Sequence, residues 1–235
     1  MRKTILAALL LTLAVAVRGQ EQPAEAEGVR DWLTTFTAVE VTAPVDITFV
    51  RVPDNEAPRI IYDTKGSTTT RFRAEVSNKV LYISERPDSR RIERTSVTVY
   101  YNSLERLAVA DAAVTVADTL SATLFDLTLG GSARLTAHLD VKDLKMELTG
   151  KSTATLSGAV RYLSLYVSTG TCLASDLEVM SAEVNVTGSG SASLWVTDRF
   201  QGKTSTGGKI LYKGTPTVVR RDLKFMGGDI THLEE

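Results

Sequence analysis

Apolar and polar positions alternate with a period of two from Trp32 onward: Val39 and Val41, then Val45, Ile47 and Phe49, then Phe72, Ala74 and Val76. Successive side chains of a strand point to opposite faces, so this pattern predicts half-buried β-strands rather than helices. Val80, Tyr82 and Ser84 continue it after Ser77-Asn78-Lys79, a turn tripeptide that predicts a hairpin. Pro53 and Pro58 bracket a loop, and Pro87-Asp88-Ser89-Arg90-Arg91 marks another. Val97, Val99 and Tyr101 begin a further strand, with Leu104, Leu107 and Val109 after it.

From Phe125 the chain can be written in ungapped rows of 19 residues in which like residues share a column. The fifth column reads Leu129, Leu148, Val167, Val186, Ser205, and the third reads Leu127, Met146, Leu165, Val184, Lys203. The eleventh reads Leu135, Ala154, Leu173, Ala192, Leu211, and the seventh reads Gly131, Gly150, Thr169, Gly188, Gly207. A looser copy containing Val114 and Val116 precedes these rows. A fixed period of this size is the mark of a stacked repeat. Odd columns are mostly apolar and predict an inward face; the glycine column suits a corner that needs a positive φ or a close backbone approach. One coil alone buries too little to offset the entropy of ordering its backbone, so neighbours must share stability. A leucine-rich repeat would need an asparagine ladder and a helical side, and an antiparallel sandwich would need no constant register. The predicted fold is therefore all-β, a single-stranded β-helix or solenoid with coils of about 19 residues. The strand-rich stretch 32–105 is expected to continue into it or cap it, with repeats over 106–235. Pro216, Arg220-Arg221-Asp222 and Gly227-Gly228-Asp229 are expected to close the far end.

The N-terminus reads differently. Arg2 and Lys3 precede an apolar run from Thr4 to Val17, and small residues follow, so residues 1–19 read as a signal peptide and 20–31 as a flexible leader. The run is short for a membrane span, and no later stretch is long enough for one, so the mature chain is expected to be soluble and exported to the periplasm, cell surface or medium, a retained N-terminal anchor being the alternative. With one cysteine, Cys172, no intrachain disulfide can form. The 27 basic and 28 acidic residues give a net charge of −1, which argues against a nucleic-acid binder.

Several of these segments together resemble the bacterial family of putative auto-transporter adhesins with a head GIN domain. They are Phe36 with Val45-Asp46-Ile47-Thr48-Phe49, Asn78-Lys79-Val80-Leu81-Tyr82-Ile83, and Val97-Thr98-Val99-Tyr100 with Leu107-Ala108-Val109. The ending Gly207-Gly208-Lys209-Ile210-Leu211-Tyr212-Lys213-Gly214-Thr215-Pro216 belongs with them. Asp111 departs from the family's usual glycine, and Thr169-Gly170 shifts a turn glycine by one place. The resemblance implies an exported, right-handed β-helical surface or periplasmic protein.

Chemistry is sparse. Asp140 and Glu178 share a column with Ala159 between them, so no column stacks two acids on adjacent coils; Asp126 and Glu147 form only a diagonal pair. His138 and His232 are the only histidines, Cys172 falls in an outward column, and no phosphate loop or metal-ligand spacing occurs. Neither catalytic residues nor a cofactor or metal is expected. The fourteenth column, His138, Ser157, Asp176, Trp195 and Gly214, forms an outer stripe. With the outward Tyr166, its Trp195, Asp176 and His138 are candidate binding residues for a glycan or a surface protein. A non-enzymatic adhesin or recognition scaffold is the preferred expectation. The alternatives are a polysaccharide-active β-helix enzyme using Asp126 and Glu147, and a structural or sensor module of the envelope.

Overall fold

A computed structural model describes residues 28–66, 71–86 and 93–233, with side chains 222–225 excepted. The proposed signal peptide, most of the leader and the loop at Pro87 lie outside the described residues. The described residues form sixteen strands and no helix. The first eight are β1 (Val29–Trp32), β2 (Ala38–Thr42), β3 (Asp46–Arg51), β4 (Arg59–Asp63), β5 (Arg73–Ser77), β6 (Val80–Ser84), β7 (Ser96–Tyr101) and β8 (Arg106–Ala110). The long strands follow: β9 (Ala113–Gly130), β10 (Arg134–Leu148), β11 (Thr153–Val167), β12 (Thr171–Val186) and β13 (Ser191–Ser205). The chain ends with β14 (Lys209–Lys213), β15 (Val218–Phe225) and β16 (Asp229–His232).

These strands stack in parallel into a β-solenoid, each long strand wrapping most of one coil. Between β10 and β11 the 19-residue register holds throughout, from Arg134 opposite Thr153 to Leu148 opposite Val167. Inward residues Phe125, Leu127 and Leu129 lie under Leu144, Met146 and Leu148, and these under Leu163, Leu165 and Val167. One buried cluster runs from Phe36 to Ile230.

The register slips elsewhere, and a slip of one residue turns a strand's side chains to the opposite face. Thr153 pairs with Thr171, so Cys172 rather than Leu173 lies beside Ala154. Cys172 is 1 % exposed and Leu173 45 %. Likewise Ile210 replaces Leu211 in the core, and Thr204 and Gly202 replace Ser205 and Lys203 opposite Val186 and Val184. The expected inward places of Leu173, Leu211, Ser205 and Lys203, and the outward place of Cys172, are therefore corrected. Bulges at Thr136/His138, Thr155/Ser157 and Ala174/Glu178 absorb the differences within each coil.

The glycine column does turn a corner. Gly131, Gly150, Gly188 and Gly207 have φ of 58°, 67°, 59° and 90°. Asp111 takes the same left-handed conformation (φ 62°), and its Oδ1 accepts a hydrogen bond from the Ser132 N–H at 2.8 Å. At Thr169 the corner is one residue shorter and no left-handed residue is present; its hydroxyl instead donates to the Gly150 carbonyl at 2.7 Å.

Strands β2 and β3 form a coil that lies between the later β6 and β7 on one side and β8 and β9 on the other. The first coil, β2 and β3, is thus enclosed by coils that follow it in sequence. The outer side is covered by antiparallel strands: β5 on β6, β4 on β7, and β1 on β4. Asn78 (φ 51°) and Lys79 (φ 61°) make the tight hairpin expected between β5 and β6. In β6, Leu81 and Ile83 rather than Tyr82 face the core. Val29–Trp32, mostly assigned to the leader from sequence, is already strand. At the far end the residues expected to form a closing segment instead extend the solenoid, β15 pairing with β13 and β16 with β14. Pro216 sits in the connection between β14 and β15.

Gly158 (φ 103°) has the Leu139 backbone carbonyl where a Cβ would stand, so Gly158→Ala should cost at least about 2 kcal/mol in urea unfolding. Asp111→Ala should cost about 1 kcal/mol through its lost hydrogen bond. Asp111→Gly should fall nearer zero, because relief of the left-handed backbone offsets that loss.

Candidate functional site

Each long coil bends near its bulge and again at the residue that follows Val141, Val160 or Val179. Between the two bends the outer wall carries two columns. The first is Thr119, His138, Ser157 and Asp176. The second is Ser121, Asp140, Ala159, Glu178, Trp195 and Lys213. The predicted stripe is therefore half right. His138, Ser157 and Asp176 are in line, and His138 Nδ1 lies 3.0 Å from the Ser157 hydroxyl oxygen.

Trp195 stands one column over. Ala174 pairs with Leu194 and Glu178 with Trp195, so β12 holds Ser175, Asp176 and Leu177 with no partner on β13. This bulge sets the indole beside Glu178 instead of Asp176. Trp195 is half-buried, and Lys213 Nζ lies 5.1 Å from its ring centre, a cation–π contact. Tyr166 is 39 % exposed but pairs with Glu147 and Asn185, beyond the second bend, and belongs to a different wall.

The second column forms one side of an open groove of about 760 Å³. Ser121, Asp140, Ala159 and Glu178 line it, with Lys142 and Arg161 at the bend. Lys142, Arg161 and Met180 hold equivalent places in successive coils, between the paired valines and the row Asp143, Tyr162 and Ser181. Among the described residues, the side chains of Asp140, Lys142, Arg161 and Glu178 make no ion pair or hydrogen bond. Four unpaired charges of both signs thus converge on one depression. The columns of Asp140 and of Lys142 were visible in the 19-residue rows; the open space over Ala159 was not.

Asp126 and Glu147 do not stack in one column. Asp126 lies in register between Arg106 and Lys145, and Glu147 pairs with Thr128 and Tyr166. Among the described residues no group of three or more His, Cys, Asp or Glu is arranged to hold a metal ion.

A long parallel β-solenoid with a mixed-charge groove on its outer wall defines the class: a repeat scaffold of stacked coils. Within that class, the chain belongs to the family described as putative auto-transporter adhesin, head GIN domain, whose model matches residues 35–216. Its fold resembles a solved putative adhesin from Bacteroides fragilis, at a TM-score of 0.78 and 18% identity, covering 87% of this chain and 95% of that one. A putative adhesin from Parabacteroides distasonis is similar at 0.68 and 19% identity, covering 87% and 95%. A protein from the same species described as a putative lipid binding protein is similar at 0.64 and 16% identity, covering 88% and 96%. No match was found among curated protein sequences.

Cys172 is not a reactive surface thiol: burial pushes its pKa from 9.0 up to about 12. Burial likewise raises the Tyr101 phenol from 10.0 to about 12, with Arg51 lowering and Asp118 raising it by smaller amounts. Both groups keep their protons when folded at pH values where the unfolded chain has lost them. Their contribution is whole below pH 9 for the thiol and pH 10 for the phenol, and disappears as pH rises toward 12. The urea midpoint should therefore fall between pH 9 and 11, less steeply in Cys172→Ala. A thiol reagent at pH 8 should label the native protein far more slowly than the unfolded one; equal rates would contradict the burial.

Proposed function

We propose that this chain is an exported, non-enzymatic recognition scaffold of the cell envelope or surface, an adhesin-type protein that presents its outer wall to a glycan or a surface protein. The observation that carries this reading is the groove beside Asp140 and Glu178, where charged side chains without partners are held on rigid strands. The strand ladder fixes the backbone under these side chains, so binding there need not order a loop and costs only the freedom of the side chains themselves. Family membership supports the adhesin assignment. Arg2-Lys3 and the apolar run from Thr4 to Val17 support export.

The lipid-binding description of one neighbour adds no second reading, since at 16% identity the likeness extends to the fold alone. Diagonal acids favour no enzyme either, as Asp126 has cations rather than an acid on its adjacent rungs.

Antibody labelling of intact cells and of separated envelope fractions should find the protein outside the cytoplasm, with its N-terminus near Gly19 or Ala16. The purified protein should bind at least one glycan on an array or one surface protein in a pull-down from intact cells. It should release no oligosaccharide from polysaccharides. A cytoplasmic location with an intact N-terminus, or steady release of oligosaccharides, would overturn the reading.

A further inference from the structure

The groove has a composition that narrows its ligand. Asp140 and Glu178 supply acceptors, Lys142 and Arg161 supply donors, and the four formal charges sum to zero. An anionic chain would run against both carboxylates and a polycation against both basic groups, and like charges brought together across an interface cost affinity. A polyol meets no such penalty. Its hydroxyls donate to carboxylates and accept from the ammonium and guanidinium, and the planar arginine fork suits adjacent hydroxyl pairs. Ala159, exposed between the two acids, leaves the floor open, and Met180, 44 % exposed at the bend, offers an apolar contact for a sugar face.

The spacing also fits. Successive coils repeat every ~4.8 Å, comparable to one sugar ring along an extended chain, and the three steps from Ser121 to Glu178 span about 14 Å. Trp195 stands on the next rung, beside Glu178, with Lys213 over its ring.

We propose that this groove binds a neutral, extended glycan chain parallel to the solenoid axis, with Asp140 and Glu178 as acceptors and Lys142 and Arg161 as donors. The assignment rests on the recognition reading above and gives it a ligand class. Calorimetric titration of the full chain with neutral oligosaccharides of increasing length (glucan, mannan and N-acetylglucosamine series) tests it against oligogalacturonate.

At least one neutral series should bind, with affinity rising to about three or four units and then levelling off. Ala159→Trp, which fills the floor from an exposed position, should weaken binding at least about tenfold, as should Asp140→Asn combined with Glu178→Gln. Tyr166→Ala, on another wall, should leave affinity within about twofold, and thermal melts should confirm that all variants fold. Tighter binding of oligogalacturonate than of every neutral series, or undiminished affinity in folded Ala159→Trp, would overturn the proposal. If the wild type binds no neutral series yet still attaches to cells or surface proteins, the groove assignment fails and the scaffold reading stands. If it binds neither, both fall.

Discussion

The parallel hydrogen-bond ladder between coils is the constraint on which everything else depends. A coil of this solenoid has no stable existence alone, because its backbone groups and the edges of its apolar side chains are satisfied only by the coils on either side. That demand fixes the inward faces, places like residues over one another, and confines variation in length to bends and bulges. It also accounts for the N-terminal detour. With β2 and β3 enclosed between β6–β7 and β8–β9, the first coil of the sequence is paired on both sides. The exposed side of the stack is passed to short antiparallel strands, which blunt an open parallel edge.

Much of this was legible in the sequence because a stacked repeat writes its core in columns. Leu129, Leu148 and Val167 lie over one another as their spacing required, and the corner glycines have the backbone conformation that excludes most other residues. Legibility ended where coil length changes. The shorter corner at Thr169 removes one residue before Cys172, which is enough to exchange the environments of Cys172 and Leu173. Period-two alternation records which residues share a face, but a leucine and a cysteine side by side do not announce which of them has been displaced. The enclosed first coil was illegible for another reason: the order of parallel strands is set by connections that leave no periodic trace.

The candidate site divides in the same way. His138, Ser157 and Asp176 follow the 19-residue spacing and fall in line, whereas the β12 bulge moves Trp195 beside Glu178. The consequence for recognition is substantial. The aromatic ring stands beside Glu178, one rung beyond a groove of opposed charges, and Tyr166, similar in chemistry, sits around a bend and outside it. A wall so constructed holds its groups at a fixed repeat without the entropic cost of loop ordering. That suits the recognition role proposed for the groove.

Distances along one outer column test the account most directly. Thr136, Thr155, Leu173, Ser193 and Leu211 occupy successive rungs on one wall. Cysteines paired with Thr136→Cys at Leu173, Ser193 and Leu211 can be spin-labelled while the buried Cys172 stays silent. Pulsed electron paramagnetic resonance should then give backbone separations of about 10, 14 and 19 Å, increasing in equal steps of ~4.8 Å. Separations that fail to grow with rung number would contradict the stacked register, and with it the groove that the register creates.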